Sequence, residues 1–582
     1  MRRRLGPALL IGAVAACGDG SAPGPGSVGL AATRGGFPGF EDVTEASGVR
    51  FVHDNGATDR RYLPETMGAG VAVFDFDGDG RPDLFFVGGA AVEGPTPAAP
   101  GALYRNLGAG RFVDATERAG LSPGLLGMAA ATADVERDGD VDLVVTGVGG
   151  DLLFRNQGDG TFGSGEPLPV APGFGVAAAF LDADGDGLED LFLARYVEWS
   201  RESDVPCRSP SGERIYCTPE AYPPVASRLL RNRGEGVFED ATAGSGLLES
   251  PGKALGVLPI DADGDDRLDV AVANDTTANQ LFLNRGAGRF EDEAVARGFA
   301  FGQSGAPRGG MGIDGADFDG DGATDVVIGN FALESSALFG AREGLYLDVA
   351  AEVGLGLPSL VTLAFGTLAE DLDGNGWPDL LLVNGHIEPR IAETYPSQSY
   401  RQVPLLLLHT GARGSLREAA GGAGLTEALV GRGAATGDLD GDGAPDLVLT
   451  ENGGPARLYR NRSPGDRWLA VRSRTPAYGL EAEVELRATL AESGTSGGRK
   501  NGTSGHRDIG TSGGGRAGLR DFGISIRTIR RRLVSGRSYL SSPEPVIRIG
   551  TGGAEIVTVT LRWPDGRVVR YGRVPAATIV VE

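Results

Sequence analysis

The chain has 582 residues, 41% of them hydrophobic, enough for several domains or for one large repeat architecture with its own cores. Its 96 glycines follow no Gly-X-Y period, which excludes a collagen-like fibre and assigns them to turns, bulges and close strand approaches of an all-β protein. The formal charge of -24 is concentrated in ligand-like acidic clusters, which points to neutralisation by cations and excludes nucleic acid as a partner.

Arg2, Arg3 and Arg4 precede an apolar run from Leu5 to Ala16, the layout of a secretory signal and too short to span a bilayer. It ends in Val14-Ala15-Ala16-Cys17-Gly18, which resembles the bacterial lipobox. That resemblance makes residues 1–17 a signal peptide and Cys17 the lipidated first residue, so that the membrane is met only through a lipid anchor in the bacterial cell envelope, at the periplasm or cell surface. The alternative is that Ala13-Val14-Ala15 is the A-x-A cleavage site of a secreted protein. Residues 18–36, rich in Gly, Ala, Pro and Ser, read as a flexible tether. In an exported protein Cys207 and Cys217 form a disulfide.

A nine-residue pattern, D-x-D-x-D-G-x-x-D with small variations, then occurs seven times. The first copy offers Asp75, Asp77, Asp79 and Asp83, and the second Asp134, Glu136, Asp138, Asp140 and Asp142. The third has Asp182, Asp184, Asp186 and Asp190; the fourth Asp261, Asp263, Asp265 and Asp269; the fifth Asp317, Asp319, Asp321 and Asp325. The sixth has Asp371, Asp373, Asn375 and Asp379, and the seventh Asp438, Asp440, Asp442 and Asp446. Alternate carboxylates at positions 1, 3 and 5 can point into one turn, glycine at 6 reverses the backbone, and Asp at 9 closes the far side. Hard oxygen ligands in that number favour Ca²⁺ over Mg²⁺, about seven structural ions in all.

An EF-hand opens in the same way but needs a bidentate Glu at position 12 and flanking helices. Here position 12 is Phe86, Val145, Leu193, Val272, Ile328, Leu382 and Leu449, within runs that read as buried strands. Further hairpins follow, as in Leu103-Tyr104-Arg105-Asn106 with Gly110-Arg111-Phe112. The loops begin 59, 48, 79, 56, 54 and 67 residues apart, the spacing of four-stranded propeller blades with insertions. Seven loops predict a seven-bladed β-propeller over 37–462, and a smaller β-rich domain follows over 463–582.

These hairpins resemble the FG-GAP/VCBS repeats of integrin alpha propellers. Variants such as Met67-Gly68-Ala69-Gly70, Asn384-Gly385-His386 and Gly431-Arg432-Gly433-Ala434-Ala435 are similar to the cartilage acidic protein family and its bacterial relatives. That resemblance implies a C-terminal ASPIC/UnbV domain, and Tyr539-Leu540-Ser541-Ser542, Ile549-Gly550 and Arg562-Trp563-Pro564-Asp565-Gly566 match it in order. The Gly/Ser/Thr-rich stretch 491–518 departs from the pattern and reads as a disordered insertion.

Copies four and six are the expected weak sites: Asp266 stands where glycine allows positive φ, and Asn375 replaces a carboxylate. The arginines Arg527, Arg530, Arg531 and Arg532 read as the solvent face of a strand or as an anion site. No nucleophile, base and orienter set is visible around His53, His386, His409 and His506, so no catalytic residue is assigned. The favoured function is a calcium-binding scaffold for a protein or polysaccharide ligand, with insertions 196–228 and 387–402 as contact regions. An enzyme working in the propeller channel and an envelope assembly accessory are the alternatives.

Overall fold

The computed structural model describes residues 37–89, 92, 101–121, 124–209, 211–411, 415–473, 476–489, 524–575 and 578–581. The signal peptide with Cys17, the tether 18–36 and the insertion 491–518 lie outside the described residues.

Seven antiparallel sheets of four strands follow one another along the chain. The first comprises Val71–Phe74, Asp83–Phe86, Ala102–Asn106 and Phe112–Asp114, and every acidic loop joins the first strand of its sheet to the second. The first strands of successive sheets lie side by side, and that of the seventh, Gly431–Gly437, returns to that of the first. The fold is an all-β propeller. The seventh sheet takes its fourth strand from the beginning of the chain, Phe40–Asp42, with Phe40 opposite Asn461 and Asp42 opposite Tyr459. Because each sheet is covered on both faces by its neighbours, the second strands are continuously apolar rather than alternating, as in Asp325–Asn330.

First strands such as Leu126–Ala133 and Gly175–Leu181 are rich in Gly and Ala because they crowd around one axis. At Gly312 a Cβ would stand 2.0 Å from the Phe365 carbonyl of the next sheet. Arg432, fully buried, ties this centre together: its guanidinium donates to the carbonyls of Thr66, Gly385 and Gly431 and stacks 3.9 Å from the Phe365 ring centroid.

The C-terminal part forms an antiparallel sheet from Ile524–Arg532, Glu481–Thr489, Glu555–Arg562 and Val568–Tyr571, and a three-stranded sheet from Val546–Gly550, Trp468–Ser473 and Thr578–Val581. It packs on the loop side of the propeller through a shared apolar core, in which Leu469, Val484 and Val559 join Val135, Phe180 and Leu191. The segment between strands Ile524–Arg532 and Val546–Gly550 enters the channel. Ser538 N–H donates to the Ile313 carbonyl at 2.9 Å, Ser542 N–H to Val71 at 2.8 Å and Glu544 N–H to Thr436 at 2.9 Å, and Tyr539 is fully buried. The Tyr539-Leu540-Ser541-Ser542 motif is thus a plug that closes the channel from the loop side.

Candidate metal centres

Each acidic loop is held by its own carboxylates. Position 9 is the most regular. Asp83 accepts the N–H of Phe76 at 3.1 Å within its loop and that of Asn106, on the third strand, at 2.6 Å. The same pair of bonds is made by Asp142, Asp190, Asp269, Asp325, Asp379 and Asp446. The position-1 carboxylate accepts the N–H of position 6, as Gly187 to Asp182 at 2.9 Å. Positions 4 and 6 both lie at positive φ, which glycine adopts freely; Arg137 does so at 62° and Asp266 at 68°.

Burial pushes the position-9 carboxyls upward: Asp83 and Asp142 to about 8, Asp190, Asp269 and Asp325 to about 7, and Asp379 and Asp446 well above the usual range. Carboxylate oxygens of Asp75, Asp77 and Asp83 lie within 4.8 Å of one another, as do those of Asp182, Asp184 and Asp190, of Asp317, Asp319 and Asp325, and of Asp371, Asp373 and Asp379; in the fourth loop the group is Asp261, Asp263 and Asp265. Such groups could hold a metal ion. Asp77 Oδ1, Glu136 Oε2 and Asp263 Oδ1, all at position 3, are buried without a hydrogen-bond partner, oxygens that a cation would satisfy.

The other oxygen of position 3 faces an arginine. Arg105 pairs with Asp77, Arg155 with Glu136, Arg231 with Asp184, Arg285 with Asp263 at 3.6 Å, Arg342 with Asp319 at 3.5 Å and Arg460 with Asp440 at 2.7 Å. These arginines sit on or just after the third strands and were missed in the sequence, although Arg-Asn recurs visibly at 105–106, 155–156, 231–232 and 460–461. The adjoining asparagine staples neighbouring sheets: Asn156 donates to the Phe76 carbonyl of the preceding loop at 2.8 Å, and Asn232 to that of Val135 at 3.0 Å. His409 replaces it in the sixth sheet, its Nε2 3.0 Å from the Phe318 carbonyl.

The loops are not equivalent. Asp140, counted among the second loop's ligands, has its carboxylate against Gly158 of the following turn. The sixth loop lies under the C-terminal part: Trp468 Nε1 donates to the Asp371 carbonyl at 2.9 Å, Arg467 to that of Asp373 at 3.1 Å, and Gly552 N–H to that of Gly374 at 2.9 Å. The arginine run is matched to acidic and aromatic partners, with Arg530 exposed and paired with Glu483 at 2.7 Å. Arg527 stacks 3.4 Å from the Trp377 ring centroid, the half-buried Arg531 faces Asp317 and Asp371, and Arg532 pairs with Asp261 at 3.3 Å and Glu481 at 3.2 Å. Burial pushes His53, His386 and His409 down to about 4, and the Nδ1 of each accepts a backbone N–H, from Gly453, Glu388 and Gly411.

On the opposite face three insertions meet. Cys207 and Cys217 are disulfide-bonded. Beside them the Tyr216 hydroxyl donates to Glu65 at 3.0 Å, Arg61 stacks on the Tyr216 ring, and Arg390 pairs with Glu213 at 2.7 Å. Segments 61–66, 196–228 and 387–402 thereby form one connected rim.

The sequence profile of the FG-GAP-like repeat matches residues 75–145, 134–193 and 261–328, and that of the ASPIC and UnbV domain matches residues 524–581. Cartilage acidic protein 1 of Mus musculus is 25% identical over 521 residues, covering 77% of this chain and 72% of its own length. The Homo sapiens protein is 24% identical over 512 residues, covering 86% of this chain, which spans 60% of the human protein's length. A lectin from Burkholderia pseudomallei superposes with a TM-score of 0.41 at 12% identity, over 68% of this chain and 97% of its own. Among the described residues no helix is long and apolar enough to cross a membrane.

Proposed function

We propose that this chain, which carries FG-GAP-like repeats and a C-terminal ASPIC and UnbV domain, is an exported binding or scaffolding protein whose propeller is rigidified by Ca²⁺ and whose insertion face engages a protein or polysaccharide. The observation that carries the reading is the division of labour between two faces. The loop face is covered by the C-terminal sheets, while the opposite face gathers all three segments around the channel mouth, the segment 196–228 braced internally by the Cys207–Cys217 disulfide and joined to the others through Tyr216–Glu65 and Glu213–Arg390. Binding surfaces on rigid scaffolds are built from such loops. The disulfide supports an oxidising compartment, and the signal-like start with Cys17 supports lipid anchoring in the bacterial envelope.

Calcium would be held by positions 1, 3, 5 and 9 of each loop, where it would neutralise carboxylates that are otherwise offset only by arginines. A site filled at a hundredfold excess over its Kd contributes about 2.7 kcal/mol to stability. Excess chelator should therefore lower the Tm by roughly 5 °C or more, and calcium should restore it. An unchanged midpoint would rule out structural calcium. Capture of protein or glycan by the intact chain, lost on shortening 387–402 with the fold retained, tests the binding face.

A further inference from the structure

We infer that the channel mouth between Tyr196, Asp275 and Phe365 binds a small organic monocation, a primary ammonium on an apolar body; this rests on the binding reading above and names the ligand class of one site within it. The plug makes the channel blind, because the Tyr539 ring packs edge-on against Phe365 with centroids 4.7 Å apart. What remains on the insertion side is a cavity of about 160 Å³. Sites for drug-sized ligands run to about 300–1,000 Å³, so the occupant is a single ring or a short chain.

Its walls are mostly apolar: Leu63, Met67, Leu255, Met311, Phe331 and Ile387. Three carboxylates enter it. Asp275, 4% exposed, is oriented by the Tyr196 hydroxyl, which donates to Oδ2 at 2.6 Å. Glu334 is fixed by the Gly309 N–H, which donates to Oε2 at 2.7 Å, and Glu220 stands at the exposed rim. Among the described residues no lysine or arginine lines the cavity. The nearby Lys253 ammonium is committed to the Pro219 carbonyl at 2.7 Å, and the Arg432 guanidinium lies against the Phe365 ring with its hydrogens on backbone carbonyls.

Three carboxylates set against the single nearby ammonium of Lys253 leave the pocket an acidic excess, which favours a cation and disfavours an anion. A calcium ion would need six to eight oxygen ligands, and the apolar walls do not supply them. A hydrophobic ammonium satisfies both the acidic and the apolar surfaces. Burial pushes Asp275 up to about 7, and a seated cation would hold it ionised, so binding and ionisation reinforce each other.

The test is calorimetric titration of the full chain, in calcium, with benzylammonium, benzyl alcohol and benzoate. Benzylammonium should bind at least tenfold more tightly than benzyl alcohol, and benzoate should not bind. Asp275→Asn should weaken benzylammonium at least tenfold and leave benzyl alcohol unchanged; Glu334→Gln, a milder change at a half-buried position, should weaken it severalfold and serves if the first variant does not fold. Equal affinity for ammonium and alcohol, or no binding of either, overturns the inference. Loss of amine binding in Asp275→Asn with protein or glycan capture intact separates this site from the broader binding function.

Discussion

Asp275 shows how one buried residue links charge to stability. Burial is the main cause of its raised value of about 7, with Glu220 and Glu334 pushing the same way and the Tyr196 hydroxyl and Lys253 opposing. Unfolded, the group titrates near 3.9. The folded form therefore holds the proton more tightly, and stability falls as pH rises from about 4 to about 7, then levels off. Asp275→Asn keeps an acceptor for Tyr196 and removes this term, so between pH 5 and pH 8 the wild type should lose more Tm than the variant. Parallel melting curves across that range check it. The loop residues were legible because each copy is local: positions 1 to 9 are contiguous, and position 9 is betrayed by the apolar run behind it. The arginines facing position 3 were not, because they come from third strands, such as Arg105 reaching Asp77. The role of Asp275 was not legible, since its neighbours Tyr196 and Glu334 belong to other sheets.

At the scale of elements, the docking of the C-terminal sheets on the sixth loop has a sharp steric condition. A Cβ on Gly550 would stand 1.7 Å from Asp371 Oδ2, and the same strand carries Ile549 into the shared core. Gly550→Ala should cost about 1–3 kcal/mol through overpacking and loosen this contact before the propeller itself unfolds. Faster proteolysis within 467–552, at an unchanged rate in the first four sheets, is the expected result. The Ile549-Gly550 and Tyr539-Leu540-Ser541-Ser542 motifs could be recognised in the sequence, but their roles as a loop cover and a channel plug could not, because the propeller residues that define those roles, Asp371 and Phe365, lie more than 150 residues away. The basic balance of 464–582, 19 Lys and Arg against 11 Asp and Glu, gains a physical meaning here: Arg531 and Arg532 meet the acidic loops.

The whole molecule depends on the strand Phe40–Asp42. Phe40 is 5% exposed and packs among Leu406, Leu425 and Tyr459, joining the sixth and seventh sheets. Phe40→Ala should cost about 3–5 kcal/mol, seen as a lower denaturant midpoint with faster amide exchange in the seventh sheet than in the third. The repeat spacing foretold seven sheets, but not that the last would borrow a strand from the start of the chain. Nor could it show that segments 196–228 and 387–402, far apart in sequence, become neighbours once the sheets are arranged in a ring.

That borrowed strand also imposes a timetable. Residues 40–42 are synthesised first, and their partners 459–461 follow roughly four hundred residues later. At about 5–20 residues per second the interval is on the order of half a minute. During synthesis no closed ring can exist, and afterwards the exposed edge of Arg457–Asn461 waits for a distant strand.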